Sequence, residues 1–442
     1  MTRRAFVGAA AACSMPASTR RPNVVLIVAD DLGYGETGMQ GNPEIPTPHI
    51  DSIARQGVRF TQGYASAPFC CPSRAGLMTG RYQTRFGHEL NAIGRDNNKP
   101  GVGLPLTETT LATRLKGLGY RTACIGKWHL GGSPDFHPQR RGFDEFFGFL
   151  NEGHYYVPPP HEGVESHLRN PEPPYDEDNP IRRGSTPVVE KEYFTRAITR
   201  EALRFLNKRS SDPFFLYLPY NAVHSPMQAA LDYSKRFAHI KDLQRRVFAG
   251  LLSAMDDSIG AILKRVPDDT LVIFLSDNGG PTAELTSSNK PLRGFKGQMY
   301  EGGLRVPFAM RRKGRIPAGR TYDRPVISLD IVPTVLAAAG EAVPDNLDGV
   351  DLLPYLGGKQ TGDPHQTLFW RLGHNTALRH GDWKLVRQGK SDFALYDLSR
   401  DPAESQDLTA QQPSIAADLR AKHADLNAQM VQPLWGRGAP TS

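Results

Sequence analysis

Asn23-Val24-Val25-Leu26-Ile27-Val28-Ala29-Asp30-Asp31 decides the fold: a continuous apolar, largely β-branched run that ends abruptly in two acids. A strand with one wet face would alternate polar and apolar residues. This one does not, so it predicts a strand buried on both faces of a parallel sheet. Moving outward, residues 47–56 carry a helical pattern, a second helix begins near Ser73, 111–118 reads as a helix stopped by Gly119, and 122–125 as the strand after it. The alternation continues with a helix over 193–207, a strand over 214–218, a helix over 245–264, and a strand over 270–275 that runs into Ser276-Asp277-Asn278-Gly279-Gly280. Strand and helix in turn predict an α/β fold, a large and mainly parallel sheet sandwiched by helices. Ligands of such sheets bind beyond the carboxyl ends of the strands, where Asp30-Asp31 and Asp277-Asn278 both fall.

The chain has 442 residues, enough for one very large domain or a large and a small one. With 39% hydrophobic and 22% charged residues, 43 Gly and 36 Pro, it reads as a loop-rich globular protein, neither disordered nor fibrous. The formal net charge of +7 would attract anions. The basic residues are dispersed, with no basic run interleaved with aromatics, which argues against a nucleic-acid partner. Apolar runs such as Leu271 to Leu275 are strand-sized, far below the roughly 18 to 20 residues of a membrane-spanning helix. From 154 to 187 the chain is rich in Pro, Glu, Asp and Arg without periodicity, as expected of a long surface loop or insertion near a site. After Gly357-Gly358 short strands are expected at 367–370, 376–379, 383–386 and 393–396, with a closing helix over 415–430, a small α+β subdomain. The expected organisation is a signal segment at 1–20, a large α/β domain at 21–360 and the subdomain at 361–442.

Thr2-Arg3-Arg4-Ala5-Phe6-Val7, a short Ala run to Cys13 and a small-residue zone resemble a bacterial twin-arginine signal, which predicts a periplasmic or secreted protein. Ala10-Ala11-Ala12-Cys13 loosely resembles a lipoprotein box but lacks its leucine, so removal is expected rather than lipid anchoring. The four cysteines, Cys13, Cys70, Cys71 and Cys124, make no disulfide framework and no C-x-x-C, which argues against zinc.

Asp30, Asp31, Asp277 and Asn278 offer hard oxygen ligands, which favours calcium or magnesium, and calcium suits a protein-built site better. The bland reading of such acids is helix capping or turn formation. Against it stand Cys70-Cys71-Pro72-Ser73-Arg74, Gly126-Lys127-Trp128-His129, Asn221-Ala222-Val223-His224 and Gly294-Phe295-Lys296-Gly297, each bringing a cation or a proton-transfer group to a strand-end loop. Lys127 and His129, two apart, point the same way if the strand persists.

The chain resembles the formylglycine-dependent type I sulfatases of the alkaline phosphatase superfamily, from about Pro22 to the C-terminal subdomain. The most specific piece is Cys70-x-Pro72-Ser73-Arg74 followed by Ala75-Gly76-Leu77-Met78-Thr79-Gly80-Arg81-Tyr82. The resemblance implies that Cys70 is oxidised to formylglycine by a maturation enzyme, Cys71 being a packing residue. It also implies that Asp30, Asp31, Asp277, Asn278 and the modified Cys70 bind one calcium ion. Arg74 would hold the formylglycine hydrate, Lys127 and Lys296 would grip sulfate oxygens, His224 would face the leaving-group oxygen, and His129 would contact a formylglycine hydroxyl. The chemistry agrees with this. A thiol sulfonated at sulfur has no simple internal exit, whereas an aldehyde hydrate has one hydroxyl to attack sulfur and another to expel sulfate. Cations stabilise the transferring group, and a sugar alkoxide needs a proton, worth roughly 10²- to 10⁴-fold in rate.

Phe146-Phe147-Gly148-Phe149, His154-Tyr155-Tyr156 and Phe86-Gly87-His88-Glu89 are similar to stretches of carbohydrate sulfatases of the N-acetylgalactosamine-4-sulfatase type and their bacterial polysaccharide relatives. They imply a sulfated glycan substrate, with His154 and His374 as expected substrate contacts. Two alternatives remain: a phosphonate or phosphate monoester hydrolase on the same scaffold, and a non-catalytic sulfoglycan-binding protein with Cys70 unmodified.

Overall fold

The computed structural model describes residues 20–175 and 178–436. The expected signal segment, including Cys13, therefore lies outside the described residues except for Arg20. Strand Val24–Ala29 is buried along its whole length. Val25, Ile27 and Ala29 enter one core and Val24, Leu26 and Val28 the other, the two-residue alternation of a strand with both faces covered. Helices Pro48–Arg55, Phe194–Leu206 and Leu243–Leu263 bury their apolar sides in the first core. Cys70–Thr79, Leu111–Gly117 and Ile331–Ala338 do so in the second.

Among the described residues ten strands form one sheet. Its centre runs Leu271–Ser276, Val24–Ala29, Phe214–Pro219, Arg121–Lys127, Glu145–Phe149, all parallel. Beyond this centre Phe308–Arg311 and Arg182–Arg183 pair antiparallel, so the sheet is mixed towards its edges. Residues 154–187 are not simply loop. Val164–His167 pairs antiparallel with Met227–Ala230, and Arg182–Arg183 extends the main sheet from Glu145–Phe149. Strands of two to four residues are too short to carry a readable period.

Gly126 allows the central strands to meet at the end that carries the chemistry. Its φ is +134°, and a Cβ there would lie 1.9 Å from the Pro219 carbonyl oxygen. No other residue fits that approach, which sets the path of Lys127 immediately after it.

Thr367–Leu372, Asn375–His380, Trp383–Arg387 and Ala394–Asp397 form a separate antiparallel sheet, closed on one side by helix Pro413–Asn427. Trp370, Ala377 and Val386 of this sheet pack with Tyr64, Leu304 and Ile327. In the same contact the buried Lys384 ammonium lies 2.8 Å from Glu301 and 3.0 Å from Glu404.

Candidate active site

The register of the central strands assembles the site. Ala29 stands opposite Ser276 and Val28 opposite Pro219, so the residues that follow, Asp30-Asp31, Asp277-Asn278 and the segment to His224, emerge side by side. Asp31 takes a left-handed conformation, φ +64°, and its N–H donates to Asp277 Oδ1 at 3.2 Å. Cys70 opens the helix Cys70–Thr79, all of which is buried, and Arg74 follows one turn later on the same face.

Cys70 Sγ lies 3.5 Å from Asp30 Oδ1 and 3.9 Å from Asp31 Oδ1. Arg74 donates to Asp277 Oδ2 through Nε at 3.0 Å and Nη2 at 2.8 Å, and to the Lys127 carbonyl at 3.2 Å. Lys127 Nζ donates to Asp30 Oδ2 at 2.6 Å, and Lys296 Nζ to Asp31 Oδ2 at 2.8 Å. His224 Nε2 is 3.7 Å from Asp31 Oδ2. Its Nδ1 is 2.5 Å from the Ser225 carbonyl, which can accept but not donate, so Nδ1 carries the hydrogen of the neutral ring.

Burial dominates the proton affinities. It pushes Asp30 up to about 7 against Lys127 and Arg74, with Asp277 and Asp31 adding to the rise. At Asp31 burial is outweighed by Lys296 first and Lys127 after it, which hold the carboxylate ionised. Burial also raises the Cys70 thiol far above its usual range despite both lysines, so unmodified Cys70 is a thiol and a poor nucleophile. Burial and then Lys127 drive His224 well down, Asp31 opposing, and the same two causes lower His129.

One ligand atom each from Asp30, Asp31, Cys70 and Asp277 lies within 4.8 Å of the others. Asn278 donates through Nδ2 to Asp31 Oδ1 at 2.7 Å, while its buried Oδ1 has no hydrogen-bond partner among the described residues. Three carboxylates and an orphaned amide oxygen fit a hard cation such as calcium.

The strand after Lys127 does not persist. His129 has φ +53°, and its Nε2 lies 3.0 Å from the Ala92 carbonyl, so it shares no strand face with Lys127. Its buried Nδ1 has no hydrogen-bond partner among the described residues. Cys71 is buried with Sγ 2.8 Å from His88 Nε2, and Cys70, Cys71 and Cys124 are all free.

The family model described as "Sulfatase" matches residues 22–341. The chain belongs to the sulfatase family. A second model, "N-sulphoglucosamine sulphohydrolase, C-terminal", matches residues 295–429 of this sulfatase. It is 34% identical over 444 residues to arylsulfatase A of Homo sapiens, covering 91% of this chain and 82% of that one. With N-acetylgalactosamine-6-sulfatase of Canis lupus familiaris it shares 34% over 386 residues, 81% of this chain and 70% of the relative. The crystal structure of Ps i-CgsB, also solved in complex with k-i-k-neocarrahexaose, superposes with TM-score 0.86 at 34% identity, covering 95% of both chains. The sulfatase is accordingly a sulfuric ester hydrolase with an alkaline phosphatase-like fold.

Cys70, His224 and Lys296 of the sulfatase line one cavity of about 300 Å³. Its walls include Asn91, Glu152, Arg169, Tyr175 and Glu284, none of which sequence reasoning singled out. Arg169 and Tyr175 lie in the aperiodic 154–187 segment, whose expected closeness to the site was the one available signal. Neither expected substrate contact is among the cavity-lining residues. His154 packs against the rings of Phe149 and Phe194, centroids 5.4 and 6.2 Å away, and lines a different cavity with Tyr156 and Ile181. His374 is exposed in the turn between Thr367–Leu372 and Asn375–His380, where its carbonyl accepts from Arg387. Among the described residues no helix is long and apolar enough to cross a membrane.

Proposed function

We propose that this sulfatase hydrolyses O-sulfate esters of a glycan, using formylglycine made from Cys70 by a maturation enzyme and a calcium ion held by Asp30, Asp31, Asp277, Asn278 and the modified Cys70. The observation that carries the reading is convergence: Cys70, Lys296 and His224 on one cavity floor, with Lys127 and Arg74 bonded to the carboxylates behind it. The hydrate of formylglycine would supply two geminal hydroxyls, one to attack sulfur and one to release sulfate with return of the aldehyde, and calcium would supply positive charge that favours the ionised hydroxyl. Arg74 orients the hydrate from its own helix. Lys127 and Lys296 neutralise the oxygens of the transferring group, the contribution that usually dominates such chemistry. His224 turns Nε2 to the leaving oxygen, its Nδ1–H being committed to the Ser225 carbonyl; it donates there as the imidazolium, the form that a bound anionic ester favours over the neutral ring. His129 takes the proton of the second hydroxyl.

The glycan substrate is supported by likeness to Ps i-CgsB along nearly the whole chain and by a cavity large enough for a sugar ring. The sulfatase relatives favour sulfate over the phosphate and phosphonate alternatives, and the intact set of acids, lysines and histidines favours an enzyme over a sulfoglycan-binding protein. Twin-arginine-like export to the periplasm or beyond belongs to the same proposal, as does a catalytic domain over 21–360 with its subdomain at 361–442.

The test is free sulfate released from a panel of sulfated glycans and 4-nitrophenyl sulfate by protein co-expressed with a formylglycine-generating enzyme. Mass analysis of the Cys70 peptide and a Cys70→Ala control accompany it. Release by the wild type and none by the control is expected. Full activity of Cys70→Ala would overturn the mechanism.

A further inference from the structure

The cavity floor and wall carry different charged groups. At the floor Lys296, Lys127 and Arg74 are bonded to Asp31, Asp30 and Asp277, and on the sulfatase reading these cations serve one tetrahedral anion. On the wall the one cation among the described lining residues is Arg169, and it is already engaged. Glu172 lies 3.2 Å and Glu284 3.4 Å from its guanidinium, with the Tyr175 and Ser225 hydroxyls completing its contacts. Glu152, also on the wall, accepts from the Gly94 N–H at 2.6 Å and from Asn97 Nδ2 at 2.8 Å. Those donors are neutral, so they fix the carboxylate without cancelling its charge. Glu152, Glu172 and Glu284 set three carboxylates against the one guanidinium of Arg169, so this wall is net negative, although the chain as a whole carries +7. The basic excess therefore lies elsewhere.

Between these acids the wall is apolar. Phe69, Pro173 and Pro281 line it, and Ile93 and Phe295, 65% and 43% exposed, stand in the same lining. Exposed apolar side chains grouped at a cavity favour a ligand with an apolar face. A neutral sugar ring offers such a face on its C–H side and hydroxyls that donate to carboxylates. A second sulfate or a uronate carboxylate next to the scissile ester would instead meet like charge in a partly desolvated space, which costs up to several kcal/mol.

We propose that Glu152 and Glu284 make this site selective for a singly sulfated, otherwise neutral sugar unit, excluding a second anion beside the scissile ester. The inference rests on the sulfatase reading of the floor and concerns the alcohol alone.

The test measures binding in full-length Cys70→Ala protein, so it does not depend on turnover. Calorimetric Kd values are compared for 4-nitrophenyl sulfate and its ring-carboxylated analogue, 5-sulfooxy-2-nitrobenzoate. The neutral-ring ester is expected to bind about tenfold more tightly, and Glu152→Gln/Glu284→Gln in the same background to reduce that preference to about twofold or less. Glu284→Gln alone, at a side chain 56% exposed, gives part of the effect even if Glu152→Gln disturbs the Gly94 turn. Equal affinities, no binding of either ester, or a preference for the carboxylated ester that Arg169→Gln abolishes would each overturn the proposal. Failure of the sulfatase reading is seen separately, as absent sulfate release by converted wild type.

Discussion

Lys296 and Asp31, 265 residues apart, are joined by an ammonium that sits 2.8 Å from either oxygen of the carboxylate. The same carboxylate accepts from Asn278 at 2.7 Å and lies 3.7 Å from His224 Nε2. Asp31 is thus shared by a cation of the cavity floor and by the cluster that fits a metal. An ion bound by those oxygens would compete with the ammonium and free Lys296 for an anion in the cavity.

Lys296→Met should separate the two roles. Turnover of 4-nitrophenyl sulfate is expected to fall about 10²- to 10³-fold in kcat/KM, the usual effect of removing one preorganised charge-stabilising group. Calcium affinity, measured by calorimetry, is expected to rise because the competing ammonium is gone. A weaker calcium site would show that Lys296 and the ion do not compete for Asp31.

Asn278 contributes an orphaned buried oxygen and stands in no ion pair, so its truncation tests the metal site with little disturbance of charge. Calcium at about 100 times its Kd should stabilise the wild type by roughly 2.7 kcal/mol, read as a rise in unfolding midpoint that a chelator reverses. In Asn278→Ala the calcium affinity should drop at least about tenfold, with the chelated proteins unfolding at similar midpoints. An unchanged affinity would remove Asn278 from the ligand set.

His224→Ala is expected to depend on the leaving group. Sugar and other alkyl sulfates need a proton on the departing oxygen and should lose about 10²- to 10⁴-fold. 4-Nitrophenyl sulfate, whose phenolate leaves readily, should lose far less. Equal losses on both would exclude proton donation by this residue.

His423 is expected to contribute to the loss of stability in acid. Its Nε2 is 2.7 Å from Thr376 Oγ1, and its ring packs against Phe369 and Phe393. Burial, helped by Arg387 and Arg371, lowers its pKa from 6.5 to about 4. The folded form therefore prefers the neutral ring. The stabilisation is full above the unfolded value of 6.5 and is lost as pH falls through that value to about 4, where the folded protein also takes up the proton. The shift corresponds to about 3 kcal/mol. Urea unfolding between pH 7 and 4 should show a shallower decline in His423→Gln than in the wild type. Parallel declines would assign the acid loss to other groups.

Several parts of this molecule were legible before any coordinate. The run Val24–Ala29 carries no polar residue, and that local composition alone required a strand covered on both sides. The helices at 47–56, 111–118, 193–207 and 245–264 were visible because amphipathic spacing is written in consecutive residues, and none of their ends moved by more than two positions. Cys70 to Arg74 was legible as chemistry because residue type and short spacing carry the motif. The short strands within 154–187 were hidden, since their partners rather than their own periodicity make them strands.

The sequence by itself determined which residues could do chemistry and that Asp30-Asp31 and Asp277-Asn278 end strands of one sheet. The tertiary structure decided how they meet. The Ala29–Ser276 register puts Asp30-Asp31 beside Asp277-Asn278, and packing then assigns Lys127 to Asp30 and Lys296 to Asp31. It also put Arg169 and Tyr175 on the cavity wall, left His154 against two phenylalanine rings and His374 in an exposed turn, and broke the expected shared face of Lys127 and His129. The physical reason is one of range. Burial pattern and backbone propensity act over a few neighbours and are recorded locally, whereas contacts between residues hundreds of positions apart are selected by strand register and side-chain packing, which no single stretch of chain encodes.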